Sequence, residues 1–461
     1  MVSAARWIVS EVLDRKVQKN NLKSPSNRAF FLHFCNMESL FELFYECINV
    51  STDTRNIPVD SLFVALKGEH FNGNTFAATA IENGAKYAIV DERSFANNQT
   101  IFYVENALSF LQQLAHYHRS KFSIPVIGIT GSNGKTSSKE LIHAVLSKKY
   151  HSLCTIGNLN NHIGVPLTLL RLTEKHEIAI IEMGANKPGD IAELCAIADP
   201  THGIITNIGK AHLEGFKDFK GVLATKTELY ASIQQNGGIL FASMDDKVLM
   251  DACKKYPLPL ITYGSSPEAL IVGELSHLDP FVHFSWHNHA YHSPVLHTQL
   301  VGKYNFNNFL AAVAFGNIFK VPVEQLNEAI EGYLPQNNRS QVTKTENNTL
   351  IIDCYNANPS SMKSALESFH EIQGVEKLAI LGDMLELGSE SLSEHQLILT
   401  YCQENKIPFI TIGPIFKQLN AEGFESQESF RAQASTMQIR QKMILLKGSR
   451  GIALEKLIDL F

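Results

Sequence analysis

Short apolar runs alternate with stretches of helical periodicity along most of the chain, the pattern of an α/β protein built on parallel sheets. Val126 to Ile129, Ile178 to Ile181, Gly203 to Thr206, Leu350 to Ile352, Leu378 to Leu381, Phe409 to Ile412 and Met443 to Leu446 are such runs, predicting buried strands. Ser61 to Leu66 and Lys86 to Val90 read as two more, with Phe76 to Asn83 a helix stopped at Gly84. Leu40, Leu43, Phe44 and Cys47 share one face of a helix opened by Met37. Ala107 to Lys121, Val222 to Ile233 and Phe309 to Phe319 are further predicted helices. Pro335 to Ser340 is polar and aperiodic and predicts an interdomain linker. These breaks divide the chain into a small α/β unit over 37–121, a central unit over 122–335 that alternates strand and helix, and a third α/β unit over 336–461.

The stretch Val126 to Tyr150 carries the sharpest chemistry. A buried strand runs into the polar turn Gly131-Ser132-Asn133-Gly134-Lys135-Thr136, and a helix follows from Ser137, with Leu141, Ile142, Val145 and Leu146 on its apolar face. Strand, glycine turn and helix aim backbone N–H groups and a helix N-terminus at phosphate. Lys135 would reach the terminal phosphates and Thr136 would hold Mg²⁺. The common eight-residue phosphate-loop pattern is not met strictly, because it requires glycine where Ile129 stands.

Other candidates sit where strands end, the usual place for ligand groups in open α/β sheets. Glu182 closes one apolar run and His212 follows the next. Asn158 to Pro166 is a long polar loop suited to substrate contact, with Asn158 and Asn161 as candidates. Lys226 and Glu228 share a helical stretch, where a surface ion pair is the plainer reading. Asn305 and Asn308 would share a face of, or cap, the Ala-rich helix that follows. Asp353 to Pro359, Gly382 to Gly388 and Lys447 to Gly451 are loops at strand ends in the third unit and suggest a second binding face. In the first unit, Ser51-Thr52-Asp53-Thr54-Arg55 is a polar turn whose arginine is suited to a phosphate, although such a turn is more often simply solvated.

Composition narrows the class. A net charge of -6 argues against a nucleic-acid binder, and 44% hydrophobic content is ordinary for a protein with real cores. No apolar run approaches the roughly 18 residues of a membrane span. Seven scattered cysteines without paired spacing predict reduced, mostly buried thiols. Residues 1–36 are basic, with an apolar patch too short for a secretory leader, and read as an extension ahead of a native start at Met37.

Taken together, Thr130 to Thr136, Asn158 to Pro166, Tyr355-Asn356-Ala357-Asn358-Pro359 and Leu381 to Gly388 resemble the Mur ligases of peptidoglycan synthesis over about residues 37–461. The likeness is greatest to members that join D-alanyl-D-alanine to UDP-N-acetylmuramoyl-tripeptide using ATP. It implies three domains: a UDP-recognising α/β domain, a doubly wound ATPase-like domain and a Rossmann-like domain for the acceptor. It assigns Gly131 to Thr136 to the ATP phosphates, with Thr136, Glu182 and His212 as ligands of Mg²⁺. Lys226 matches a carbamylated lysine that helps bind a second Mg²⁺. Asn305 and Asn308 match adenine-side asparagines, Arg339 a linker arginine near the γ-phosphate, and Asp353 an acid near the ribose. Ser51, Thr52, Asp53 and Arg55 match the UDP loop, while Asn356, Asn358 and the Lys447-to-Arg450 loop would face the acceptor. Two positions depart from the family: Tyr304 replaces its usual histidine, and Ser243 its common asparagine. The resemblance further implies a cytoplasmic monomer whose domains close on binding about the 334–340 linker. Folylpolyglutamate synthases resemble the central and C-terminal parts, but normally lack a separate domain ahead of the phosphate loop.

Overall fold

The computed structural model describes residues 37–210, 213–278, 280–335 and 338–461; His212 and residues 1–36 lie outside them. Two compact units divide at Leu114 and Ala115. In the first, the parallel strands Asn49–Ser51, Ser61–Val64, Tyr87–Val90 and Ile101–Tyr103 form a sheet in chain order. Phe63, Ala65, Ala77, Ala80, Ala88 and Val90 make its small core, which explains why only short aliphatic runs were needed there.

The second unit holds two sheets. The larger has nine strands, in the order Leu296–Val301, Phe281–His287, Ile271–Leu278, Leu260–Gly264, Ile239–Ser243, His202–Ile205, Val126–Thr130, Ile178–Glu182 and Ser152–Cys154. From Ile271 to Cys154 every pairing is parallel. The last three strands in sequence do not follow the expected alternation of strand and helix. Ile271–Leu278, Phe281–His287 and Leu296–Val301 are an antiparallel extension with no described helix between them. The reason is visible in Phe281 to His287, where Val282, Phe284 and Trp286 are buried and the residues between them are not. Such period-two alternation belongs to a half-solvated antiparallel strand.

Helix Phe306–Ile318 is buried on nearly all sides, as an Ala-rich, uniformly apolar helix must be. It packs on helix Lys135–Leu146 at Gly316, where a Cβ would lie 2.6 Å from Val145 Cγ1. The smaller sheet runs Gln341–Lys344, Thr349–Ile352, Lys442–Lys447, Glu376–Gly382 and Phe409–Ile412, parallel except at its first strand. The result is mixed α/β, with the four-, nine- and five-stranded sheets following one another along the chain and a two-stranded hairpin, Lys67–Gly68 with Phe71–Asn72, beside the first. Among the described residues no helix is long and apolar enough to cross a membrane, and the six described cysteines are free thiols.

Candidate active site

The phosphate turn is shaped by two glycines. Gly131 has φ 144° and Gly134 φ 77°, and a Cβ at Gly131 would meet Thr206 Oγ1 at 2.0 Å. Helix Lys135–Leu146 begins two residues earlier than the periodicity predicts, because Gly134 takes the left-handed conformation directly before it. Lys135 and Thr136 therefore sit on the helix's first turn rather than in the loop.

Hydrogen bonds from distant elements fix the turn. Asn133 N–H donates to Asn207 Oδ1 at 3.1 Å, and its carbonyl accepts from Thr206 Oγ1 and Asn207 Nδ2. Lys135 Nζ donates to the carbonyls of Gly131 and Ser132 at 2.6 and 3.2 Å. Enclosure pushes its pKa down from 10.5 to about 8, with Glu182 opposing that shift and Arg339 adding to it.

Glu182 ends a strand paired in register with the one feeding the turn, Ile129 opposite Glu182. Its buried carboxylate accepts from Thr136 Oγ1 at 3.0 Å and from Asn160 Nδ2 at 2.8 Å, with Lys139 Nζ 3.9 Å away. Asn160 and Lys139 were not singled out by sequence. Asn160 lies in the polar loop already suspected, but its partner is twenty-two positions away.

These groups open into a cavity of about 620 Å³, whose opposite wall comes from the smaller sheet. Ser132, Asn133, Gly134, Lys135, Thr136, Asn158 and Glu182 line it on one side, with Asn305, Asn308 and Arg339. Asp353, Asn356 and Asn358 line it on the other, with Tyr355 and Lys447. The two walls touch. Asn358 Nδ2 donates to Asn133 Oδ1 at 2.7 Å, while Asn358 Oδ1 accepts from Ser361 N–H and caps helix Pro359–Glu371. Nearby, Lys210 Nζ lies 2.6 Å from the buried Glu394 carboxylate, and Lys210 N–H donates to Ser360 Oγ. The Arg339 guanidinium stacks on the Tyr355 ring at 3.8 Å. Asp353 is held by Lys447 Nζ at 2.6 Å and accepts from Ser340 N–H.

Asn161 and Lys226 stand apart from this cavity wall. Asn161 Oδ1 accepts from the N–H groups of Ile163 and Gly164, where it supports helix Gly164–Leu169. Lys226 is not in a surface pair: it is buried, with its ammonium 5.6 Å from the centre of the Phe216 ring. Glu228 instead accepts from Gly189 and Ala192 N–H. Burial, reinforced by repulsion from Lys135, drives the Lys226 pKa well below that of a free lysine. His212 lies outside the described residues. In the first unit, Arg55 forms a fork with Asp53, Nη2 to Oδ2 at 2.6 Å, and Ser51 Oγ closes the turn on Asp53.

A phosphate turn, a buried hydroxyl–carboxylate pair and a facing wall of amides and cations are what an ATP-dependent ligase needs. The chain also matches three family models: the Mur ligase middle domain over 129–316, the Mur ligase glutamate ligase domain over 338–450 and the Mur ligase family catalytic domain over 47–119. The UDP-N-acetylmuramoyl-tripeptide–D-alanyl-D-alanine ligase of Bacillus subtilis is 33% identical over 429 residues, covering 89% of this chain and 92% of that one. The chain belongs to the Mur ligase family. Among solved structures, MurF from Acinetobacter baumannii superposes with TM-score 0.80 at 29% identity, covering 89% of this Mur ligase and 93% of the other chain. MurF from Thermotoga maritima in complex with ADP superposes with TM-score 0.79 at 25% identity, covering 90% and 96%.

Proposed function

We propose that this Mur ligase joins D-alanyl-D-alanine to UDP-N-acetylmuramoyl-tripeptide, hydrolysing ATP to ADP and phosphate. The observation that carries the reading is the shared cavity, in which Asn358 of one wall holds Asn133 of the phosphate turn on the other. The named activity of the Bacillus subtilis relative supplies the substrates.

A carboxylate is a poor electrophile. Phosphorylation of the tripeptide's terminal carboxylate makes an acyl phosphate, and the dipeptide amine displaces phosphate from its carbonyl carbon through a tetrahedral intermediate. The protein's part is positioning and charge neutralisation. Lys135 and the N–H groups of Gly131 to Thr136 hold the phosphates, and Arg339 faces the transferred group. Asn305 and Asn308 frame the base end of the nucleotide cleft, and Asp353, fixed by Lys447, stands at the ribose. Asn158 lies toward the tripeptide, with Asn356 and Asn358 on the acceptor wall.

Thr136 Oγ1 and the Glu182 carboxylate are adjacent hard oxygen donors, the chemistry Mg²⁺ selects, and they would hold it with His212. Mg²⁺ bound there would neutralise phosphate oxygens. Lys226 has the property a carbamate requires: a buried amine disfavoured as an ammonium is nucleophilic toward CO₂, with loss of one proton. The added carboxylate would turn a charge that repels a second Mg²⁺ into one that attracts it. Ser51, Thr52, Asp53 and Arg55 are proposed to bind the UDP end, with Arg55 exchanging Asp53 for phosphate. The cavity walls described come from one chain, which supports a monomer, and the use of nucleotide substrates supports a cytoplasmic enzyme.

Phosphate release from ATP and Mg²⁺, measured with the tripeptide nucleotide with and without D-alanyl-D-alanine, tests the reading. Release that needs both, with a product heavier by the dipeptide less water, supports it. Release indifferent to the dipeptide overturns it.

A further inference from the structure

Three side-chain atoms on the cavity wall are buried and have no hydrogen-bond partner among the described residues: Arg339 Nε, Ser243 Oγ and Asn307 Oδ1. Orphaned buried polar atoms are uncommon, and three in one cavity point to a ligand that completes them. Arg339 belongs to the phosphate end, since it shares the electrostatic surroundings of Lys135.

The other two lie elsewhere. Ser243 ends strand Ile239–Ser243, separated from the strand feeding the phosphate turn only by His202–Ile205. Two strand spacings are about 10 Å, the scale that separates a nucleotide's base from its terminal phosphates. Asn307 stands in the first turn of helix Phe306–Ile318. The neighbouring asparagines are engaged with the protein. Asn305 Oδ1 accepts from Asn308 Nδ2, Asn305 Nδ2 donates to Val301 O, and Asn308 Oδ1 accepts from Ser138 Oγ. Asp246, also on this wall, is used in capping Leu249 N–H.

We propose that Ser243 and Asn307 select the nucleobase, a reading that rests on ATP as the nucleotide. Asn307 Oδ1 only accepts hydrogen bonds, so it pairs with the exocyclic amine of adenine. Hypoxanthine presents a carbonyl at the same place, setting acceptor against acceptor. The Ser243 hydroxyl donates to a neighbouring ring nitrogen. Asn305 and Asn308 then act as the frame that sets Asn307.

The test is competitive binding of ATP, ITP and 2′-deoxyATP to the full chain, with kcat/KM for each in the complete reaction. The native chain is expected to prefer ATP to ITP. Asn307→Ala lowers ATP affinity about tenfold, the effect of one lost hydrogen bond, and leaves ITP unchanged, so the preference collapses. Ser243→Ala acts in the same direction by about threefold. Asn307→Ser, with melting temperatures for all variants, guards against misfolding. Equal losses for ATP and ITP in the Asn307 variants, or a preference that survives them, overturn the proposal. So does a change confined to the contrast between ATP and 2′-deoxyATP, which assigns the atoms to ribose. A native chain that binds ATP and ITP equally defeats base selection alone, whereas one that binds no nucleotide defeats the ATP reading itself.

Discussion

Two polar turns in this chain carry cations suited to phosphate, and their surroundings are opposite. In the turn Gly131 to Thr136, the fixing bonds reach residues more than seventy positions away, and Asn133 meets Asn358 across 225 positions. In the turn Ser51 to Arg55, the side-chain hydrogen bonds of Ser51, Asp53 and Arg55 stay within two positions, and the Arg55 and Asp53 side chains are 89% and 50% exposed. The first turn is held in its shape before any ligand arrives, at a real desolvation cost to Lys135. The second keeps its arginine on a solvated carboxylate, which lowers the Asp53 pKa to about 2 but adds little to folding. Enclosed charges are preorganised for electrostatic catalysis, and exposed ones serve encounter and recognition.

The largest test of this contrast is Lys135→Ala. Turnover should fall by at least about a thousandfold, with the circular dichroism spectrum and melting temperature near those of the parent. Retained activity would remove the phosphate-turn assignment. Next comes Lys226→Ala, expected to lose about a hundredfold, with partial recovery in added formate or acetate. Activity equal to the parent's would sink the carbamate.

Third, Asn358→Ala should cost about 1 kcal/mol of stability through the lost helix cap. It should also raise KM for ATP, because the phosphate turn loses its contact with the facing wall. A change in melting temperature with KM untouched would make Asn358 a cap only.

The pH dependence follows from Lys135. Its pKa is depressed in the folded chain, so kcat/KM for ATP should fall as pH rises through about 8, where the free enzyme loses its cation. Bound phosphates retain that proton, so kcat should fall only at higher pH. For stability the sign reverses. Between about 8 and 10.5 the unfolded chain holds more protons at this lysine, so its contribution to folded stability rises with pH. A pH profile for kcat/KM that is flat from 7 to 9 would contradict the enclosure of Lys135.

The smallest expected effect is at the exposed turn. Arg55→Ala should raise KM for the UDP-linked substrate several-fold, leave kcat unchanged, and matter less as salt is added. A fall in kcat would show that this turn takes part in the chemical step rather than in encounter alone.

The contrast also explains what the sequence made legible. The strand, glycine turn and helix at 126–146 are local, so periodicity and two glycines announce them. The Ser51-to-Arg55 turn was legible for the same reason. By contrast, the support of Glu182 by Asn160 and Lys139, the fixing of Asp353 by Lys447 and the stacking of Arg339 on Tyr355 arise only when the sheets pack. No spacing rule predicts partners 94 positions apart, as Lys447 and Asp353 are. The antiparallel extension was a different kind of miss. Buried Val282, Phe284 and Trp286 alternate with partly exposed residues, a period-two signal that the continuous apolar runs of the parallel strands do not share. Lys226 shows the limit of pattern in the other direction, since an i, i+2 pair on a helix does not face itself and burial separates the two.

One amide, that of Asn358, gives its oxygen to its own helix and its nitrogen to the phosphate turn. The two lobes are therefore not interchangeable parts. A chimaera that grafts the C-terminal lobe of a distant relative onto this central lobe inherits half of a bond, and its success will depend on transplanting positions 133 and 358 as a matched pair.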